Sequence, residues 1–260
     1  AEEITPLVGA SAPKMNNTSL RTKGWELQLT WQDRIGKVGY HASFNLSDAQ
    51  TEVTEYPNPD KTFYTKDGDG NTIENYWKGK KLGEIWGFKT VGIAKTDEEM
   101  QSWIAQHDQS KLPNVGNNIW KAGDIMYANL DDNPATDPKD LTIIGNYTPR
   151  FRFGFSLGAD YKGFDINLMF QGVAKRDVWV GGDDRTAYSK GMIFWGINGG
   201  QWDSTGYEEH MDYFRPGGDE MGANLNAYYP RPIIGSKQNQ QVQSRYLQNA
   251  AYIRLKNIQI

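Results

Sequence analysis

Apolar and polar residues alternate without a break over residues 151–161. Phe151, Phe153, Phe155, Leu157, Ala159 and Tyr161 share one parity, and Arg152, Gly154, Ser156, Gly158 and Asp160 take the other. After Lys162-Gly163 the pattern resumes, with Phe164, Ile166, Leu168 and Phe170 against Asp165, Asn167, Met169 and Gln171. A period of two marks a strand with one apolar face, and the Lys-Gly pair marks a hairpin turn. The same period runs through "KGWELQLTWQD", where Trp25, Leu27, Leu29 and Trp31 oppose Glu26, Gln28 and Thr30. It returns in "GYHASFNLS", with Tyr40, Ala42, Phe44 and Leu46 opposite His41, Ser43, Asn45 and Ser47. In the terminal "YIRLKNIQI", Ile253 and Leu255 share a parity that Ile258 and Ile260 do not, which predicts a bulge or a change of pairing near Asn257. Strands are therefore expected near 22–32, 38–47, 150–161, 163–173 and 252–260.

The connections between them are lopsided. "DRIGKV" joins the first two strands and "KG" the middle two, whereas 48–148 and 174–250 are long intervening segments. Loops of that length are rare in compact water-soluble domains, but outer-membrane barrels alternate short periplasmic turns with long extracellular loops. On that pattern the fold class is all-β, antiparallel strands of a large transmembrane barrel with long extracellular loops, left incomplete by this chain. The turns at 33–38 and 161–163 would be periplasmic, and 48–148 and 174–250 extracellular. The competing reading is a surface or secreted β-sandwich that binds glycan, with the apolar face packed on a second sheet. The two differ in whether protein covers Phe151, Phe153, Phe155, Leu157, Phe164, Ile166 and Leu168, which a barrel would turn to lipid.

Composition sharpens the question of what covers that face. Only 38% of the 260 residues are hydrophobic and the mean hydropathy is −0.71, little with which to build a protein core. Aromatic residues reach 13%, too many for a disordered chain. Lys and Arg number 28 against 32 Asp and Glu and form no cluster, so nothing argues for nucleic acid. No run is apolar enough for a transmembrane helix, a test that barrels escape because only alternate residues meet lipid.

The stretch "LTIIGNYTPRFRFGFSLGADYKGFDINLMFQGVAKRDVW" resembles the C-terminal barrel of the SusC/RagA family of TonB-linked outer-membrane transporters of Bacteroidetes. "RTKGWELQLTWQDRIGKVGYHASFNLSD" is similar to the family's "NKGWE" strand pair, and "GKKLGEIWGFKTVGIA" to its "GxPxGxxYGYxxxGI" element. "KAGDIMYANLDDNPATDPKDLTIIGN" resembles the aspartate-rich "GDIKYxDLNGDGxIDxxDxxxIGN". "NLNAYYPRP" and "SRYLQNAAYIRLKNIQI" resemble the closing "NAxxPR" and "FLxxxSYLRLKNIxLGY" features. The resemblance runs from about Ala10 to Ile260, in the family's order. It implies residues 1–260 of a plugged, roughly 22-stranded barrel that imports oligosaccharides or peptides. It also implies a SusD-like surface lipoprotein as partner and a TonB complex acting through a plug that these residues lack.

Within the loops, "TDEEMQSWIAQHDQ" reads as a short scaffolding helix, with Thr96 capping toward Glu99 and Met100, Trp103 and Ile104 forming an apolar stripe. The second loop is rich in rings, and Trp179, Tyr188, Trp195, Trp202, Tyr213 and Phe214 are the candidates for a ligand- or partner-facing surface. In "DIMYANLDDNPATDPKD", Asp131, Asn133, Asp137 and Asp140 offer oxygens for calcium, but Pro134-Ala135 stands where a calcium loop needs glycine. At most a weak calcium site is expected there, and no other cofactor. Catalytic motifs are lacking: His41, His107 and His210 lie far apart, and there is no HExxH, GxSxG or P-loop. "EEHMD" reads as a solvated turn. The expectation is an importer of the outer membrane and not an enzyme.

Overall fold

The computed structural model describes residues 17–66, 72–112, 115, 119–131, 133–179, 208–233 and 236–260. Its strands in chain order are β1 (Ser19–Ile35), β2 (Val38–Glu55), β3 (Tyr64–Lys66), β4 (Thr72–Glu74), β5 (Glu84–Gly87), β6 (Thr90–Ile93) and β7 (Ile125–Tyr127). They continue with β8 (Thr142–Asn146), β9 (Arg150–Tyr161), β10 (Phe164–Lys175), β11 (Asp177–Val178), β12 (Gln248–Asn249) and β13 (Tyr252–Gln259). The helix α1 (Asp97–Ile104) lies between β6 and β7.

The chain separates into two compact units, 1–26 with 48–82, and 27–47 with 83–260. In the first, β3 pairs with β4. Lys80, 3% exposed, lies there with its Nζ 4.5 Å above the Trp77 ring and donates to the Asn75 carbonyl at 3.0 Å. The ring and carbonyl offset the cost of burying the ammonium.

One 5-stranded sheet, in the order β1-β2-β9-β10-β13, contains all the long strands. The β9–β10 hairpin turns on Lys162 at φ 49 and Gly163 at φ 88, the pair of positive angles that matches the twist of adjoining strands. Its register sorts side chains into cross-strand rows. On one face lie Tyr40–Ala159–Ile166, Ala42–Leu157–Leu168–Ile258, Phe44–Phe155–Phe170–Leu255 and Leu46–Phe153–Gly172–Ile253. On the other lie His41–Gly158–Asn167, Ser43–Ser156–Met169–Asn257 and Asn45–Gly154–Gln171–Arg254. Phe155 and Phe170 stack at 4.5 Å within the apolar rows.

The parity change in the last strand is a bulge. Leu255 faces Phe170 and Asn257 faces Met169, so Lys256 is the extra residue. It keeps Ile253, Leu255 and Ile258 on one face, which unbroken alternation would have split. Phe151 departs from the expected regularity: its φ is 51, and the β9–β10 ladder pairs Arg150 and Arg152 but passes over it.

Among the described residues no second large sheet stands against the apolar face. The other sheets among the described residues are two-stranded pairs within the loops. The hydrophobic core, built around Phe88, Met100, Ile125, Tyr127, Tyr229 and Tyr246, draws no residue from the large sheet. None of the seven residues expected to face lipid is buried, and Leu157, Phe164 and Ile166 are 45%, 78% and 40% exposed. The sandwich reading fails here, because it needs those side chains enclosed. Among the described residues no helix is long and apolar enough to cross a membrane, which says nothing of strands.

Gly172 is the one position in the apolar rows without a side chain. A Cβ there would meet the Phe153 ring at 2.3 Å and the Tyr252 carbonyl at 2.5 Å. Gly172→Val is expected to destabilise the sheet by about 1–3 kcal/mol, measured by urea unfolding of the full-length protein in bilayers. A midpoint equal to the wild type would mean that the β10–β13 contact is looser than this.

Candidate loop surface

The long loops fold on each other through a buried polar centre. The turn before β7 carries Gly123-Asp124. Gly123 adopts φ 86, and a Cβ on it would strike the Phe214 ring at 2.4 Å, so the position requires glycine twice over. Asp124 is 0% exposed. Its carboxylate pairs with the Arg231 guanidinium, whose Nε lies 2.7 Å away, and accepts hydrogen bonds from Arg231 Nη2 at 2.8 Å, from Gln238 Nε2 at 2.6 Å and from Asn239 Nδ2 at 2.9 Å. The backbone N–H of Lys121 adds a further bond at 2.9 Å. Burial pushes the Asp124 carboxyl above its ordinary value, and the Arg231 guanidinium pulls it back down.

Beside it Tyr127 is wholly buried. Its hydroxyl donates to the Gln238 carbonyl at 3.0 Å and accepts from Gln243 Nε2 at 3.2 Å, while its N–H donates to Gln109 Oε1 at 2.6 Å. Burial holds the Tyr127 phenol well above its usual range. Phe88 exchanges backbone bonds with Val242 at 2.8 Å and Ser244 at 3.0 Å. Thus the polar run "SKQNQQVQ", which looks like solvated loop, is packed inside, with Gln238, Asn239, Gln240, Gln241 and Gln243 all 3% exposed or less.

The helix α1 is built from the expected cap. Thr96 Oγ1 accepts from the Glu99 N–H at 3.1 Å, and Glu99 Oε2 reaches back to the Lys95 N–H at 2.6 Å. Met100 is fully buried, with Trp103 and Ile104 against the same core, so the helix is scaffold.

An arm formed by 212–215 and 224–229 stands on this centre. Phe214 N–H donates to the Tyr229 carbonyl at 2.9 Å, and Arg215 and Asn224 bond through their backbones. Of the rings expected to face a ligand or partner, Phe214 points inward at 3% exposure, a correction that follows from strand alternation. Tyr213 is half-buried with Arg215 stacked over it at 4.9 Å, and Tyr228 is 40% exposed. Trp179 is half-buried against the loop core. Tyr188, Trp195 and Trp202 lie outside the described residues.

The four candidate calcium ligands turn onto the backbone. Asp140 accepts from the Leu130 N–H at 2.5 Å and the Asp137 N–H at 2.8 Å, and Asp137 accepts from the Lys139 N–H at 2.7 Å. Asp131 accepts from the Asn133 N–H at 2.9 Å, and Asn133 Oδ1 from the Ala135 N–H at 3.3 Å. Among the described residues no three His, Cys, Asp or Glu side chains are grouped to hold a metal. The histidines stay apart: His41 lies on the polar face of the sheet, His107 stacks on Trp103 at 4.1 Å, and His210 packs edge-on to Tyr229.

No family model matches the chain. TonB-dependent receptor P3 of Formosa agariphila is 24% identical over 255 residues, covering 96% of this chain and 22% of that protein. TonB-dependent receptor P39 of the same organism is 24% identical over 283 residues, covering 97% and 25%. Among solved structures, the RagAB peptide importer in its "closed-closed" state superposes with a TM-score of 0.51 at 19% identity, over 98% of this chain and 24% of that one. The chain is similar over nearly its whole length to segments of TonB-dependent receptors, and its fold is consistent with a SusC/RagA-like segment.

It spans about a quarter of the length of these receptors or less. Its sheet, ending in β1 and β13, has the fold of part of the barrel in that importer. The curated relatives it matches are named as receptors. Asp124 and Arg231 were not singled out from the sequence, yet each sits in a stretch that carries the family likeness, "GDI" and "YPRP". Their contact is what joins the two stretches.

Proposed function

We propose that this segment forms part of the wall and the extracellular loops of a receptor that imports an oligosaccharide or peptide across the outer membrane. The observation that carries this reading is the uncovered apolar face. Among the described residues, none in the row Ala42–Leu157–Leu168–Ile258 is buried, and lipid is the solvent that suits such a row. The turns at Gly36-Lys37 and Lys162-Gly163 face the periplasm, and both long loops face outward. There they meet the solute and a SusD-like lipoprotein, and import draws on TonB through another part of the receptor.

Purification of the full-length receptor from outer membranes, with mass spectrometry of whatever co-purifies, tests the reading. A surface lipoprotein and a bound glycan or peptide are expected, and the ligand's chemistry decides between the two. A receptor deleted for 181–215 is expected to insert normally but recover less lipoprotein. Unchanged recovery would put the contact elsewhere on the barrel, and a water-soluble full-length protein would overturn the reading.

A further inference from the structure

The β9–β10 hairpin separates the two long loops in sequence, and each springs from its own pair of strands. They could fold independently. Instead the first loop supplies the buried carboxylate and the second supplies most of its donors. Arg231, Gln238 and Asn239 all reach Asp124 across this boundary. Asn239 Oδ1 accepts the Ile125 N–H at 2.9 Å, and Thr90 Oγ1 donates to Gln243 Oε1 at 2.8 Å. A fully buried carboxylate satisfied from another loop cannot be left behind when that loop departs. Separation would strand an ion and several amides away from water.

The arm hangs from the same place. The Arg231 N–H donates to the Gly123 carbonyl at 2.8 Å, and Phe214 fills the space above Gly123. Beyond that anchor Tyr213, Arg215 and Tyr228 are at least partly open to solvent.

We propose that Gly123, Asp124 and Arg231 form a latch that joins residues 83–131 of the first extracellular loop and 208–246 of the second into one rigid body. A contact made by Tyr213, Arg215 or Tyr228 is then passed to that part of the first loop, and the two latched parts move together or not at all. Asp124 and Arg231 act here as positioning residues. The identity of whatever touches the arm rests on the import reading, whereas the latch does not.

Hydrogen exchange of the full-length receptor tests the latch, with 150–175 as the internal control. Arg231→Met keeps the stem and removes the charge. It is expected to raise exchange at least about tenfold in both 119–127 and 236–246, leaving the strands unchanged. Arg231→Lys restores charge and is expected to recover part of the protection in both segments, which a packing role alone would not produce. Exchange that rises in only one loop, or Lys and Met variants that behave alike, would overturn the latch. If Arg231→Met fails to reach the membrane, Tyr127→Phe serves instead. Loss of that hydroxyl is expected to loosen 93–127 and 236–246 together, and a one-sided or absent change overturns the proposal. Ligand and lipoprotein capture are scored separately, so the latch can fail while the import function stands.

Discussion

Leu157→Arg is expected to destabilise the assembled barrel by about 2–4 kcal/mol in a bilayer, although Leu157 is 45% exposed. In water an exposed leucine on a sheet tolerates arginine at a cost within about 0.5 kcal/mol. The size of the penalty therefore reports which solvent the face meets. Leu157 sits in the middle of its strand, in the row Ala42–Leu157–Leu168–Ile258. Gln171→Arg is the matched control, since Gln171 lies on the polar face between Gly154 and Arg254. Urea titrations of the full-length receptor in lipid vesicles should separate the two variants clearly. Equal costs for both would mean that the apolar rows do not face hydrocarbon.

The sheet was legible because its signal is local. Alternation needs only neighbouring residues, and Phe155, Leu157, Ile166 and Leu168 declare their face without reference to anything distant. The bulge in β13 was half legible: the parity change of Ile258 against Leu255 required some irregularity, and only pairing with Met169 and Phe170 places it at Lys256. The cap of α1 was likewise local. The loop centre had no such signal. Gln238 and Asn239 meet Asp124 across 114 and 115 positions of sequence, and by composition their segment belongs in water. Burial of that segment depends on partners that no window of residues contains. The aspartates at 131–140 are ambiguous from sequence, because oxygen-rich spacing suits a cation and equally suits backbone caps. A closer clue was present. Asp137-Pro138-Lys139-Asp140 has an N-cap acid, proline at the first helical position and an acid three residues on, and the structure forms that capping box. Phe214 was misassigned beside Tyr213 because composition ranks aromatic residues alike, whereas alternation turns adjacent ones to opposite sides.

Asp124→Ala should be the most damaging single change in the loops, costing about 3–5 kcal/mol of local stability. The reason lies in what remains. Arg231 keeps a guanidinium whose side chain is 18% exposed, and Gln238 and Asn239 keep amide donors aimed at an empty space. Asp124→Asn should fall between, since it preserves the oxygen that Asn239 uses but turns an amide donor toward Arg231. Replacing the pair together, Asp124→Leu with Arg231→Met, removes the stranded charge and should recover part of the loss. Opening free energies from the exchange of the Ile125 amide rank these variants, and Asp124→Leu, Arg231→Met, their double variant and the wild type together give the pairwise coupling. An Asp124→Ala variant within about 0.5 kcal/mol of wild type would mean that the loops hold together by Phe88, Tyr127 and Tyr246 packing alone. A double variant no better than Asp124→Ala would place the cost in the amides of Gln238 and Asn239 instead of in the ion pair.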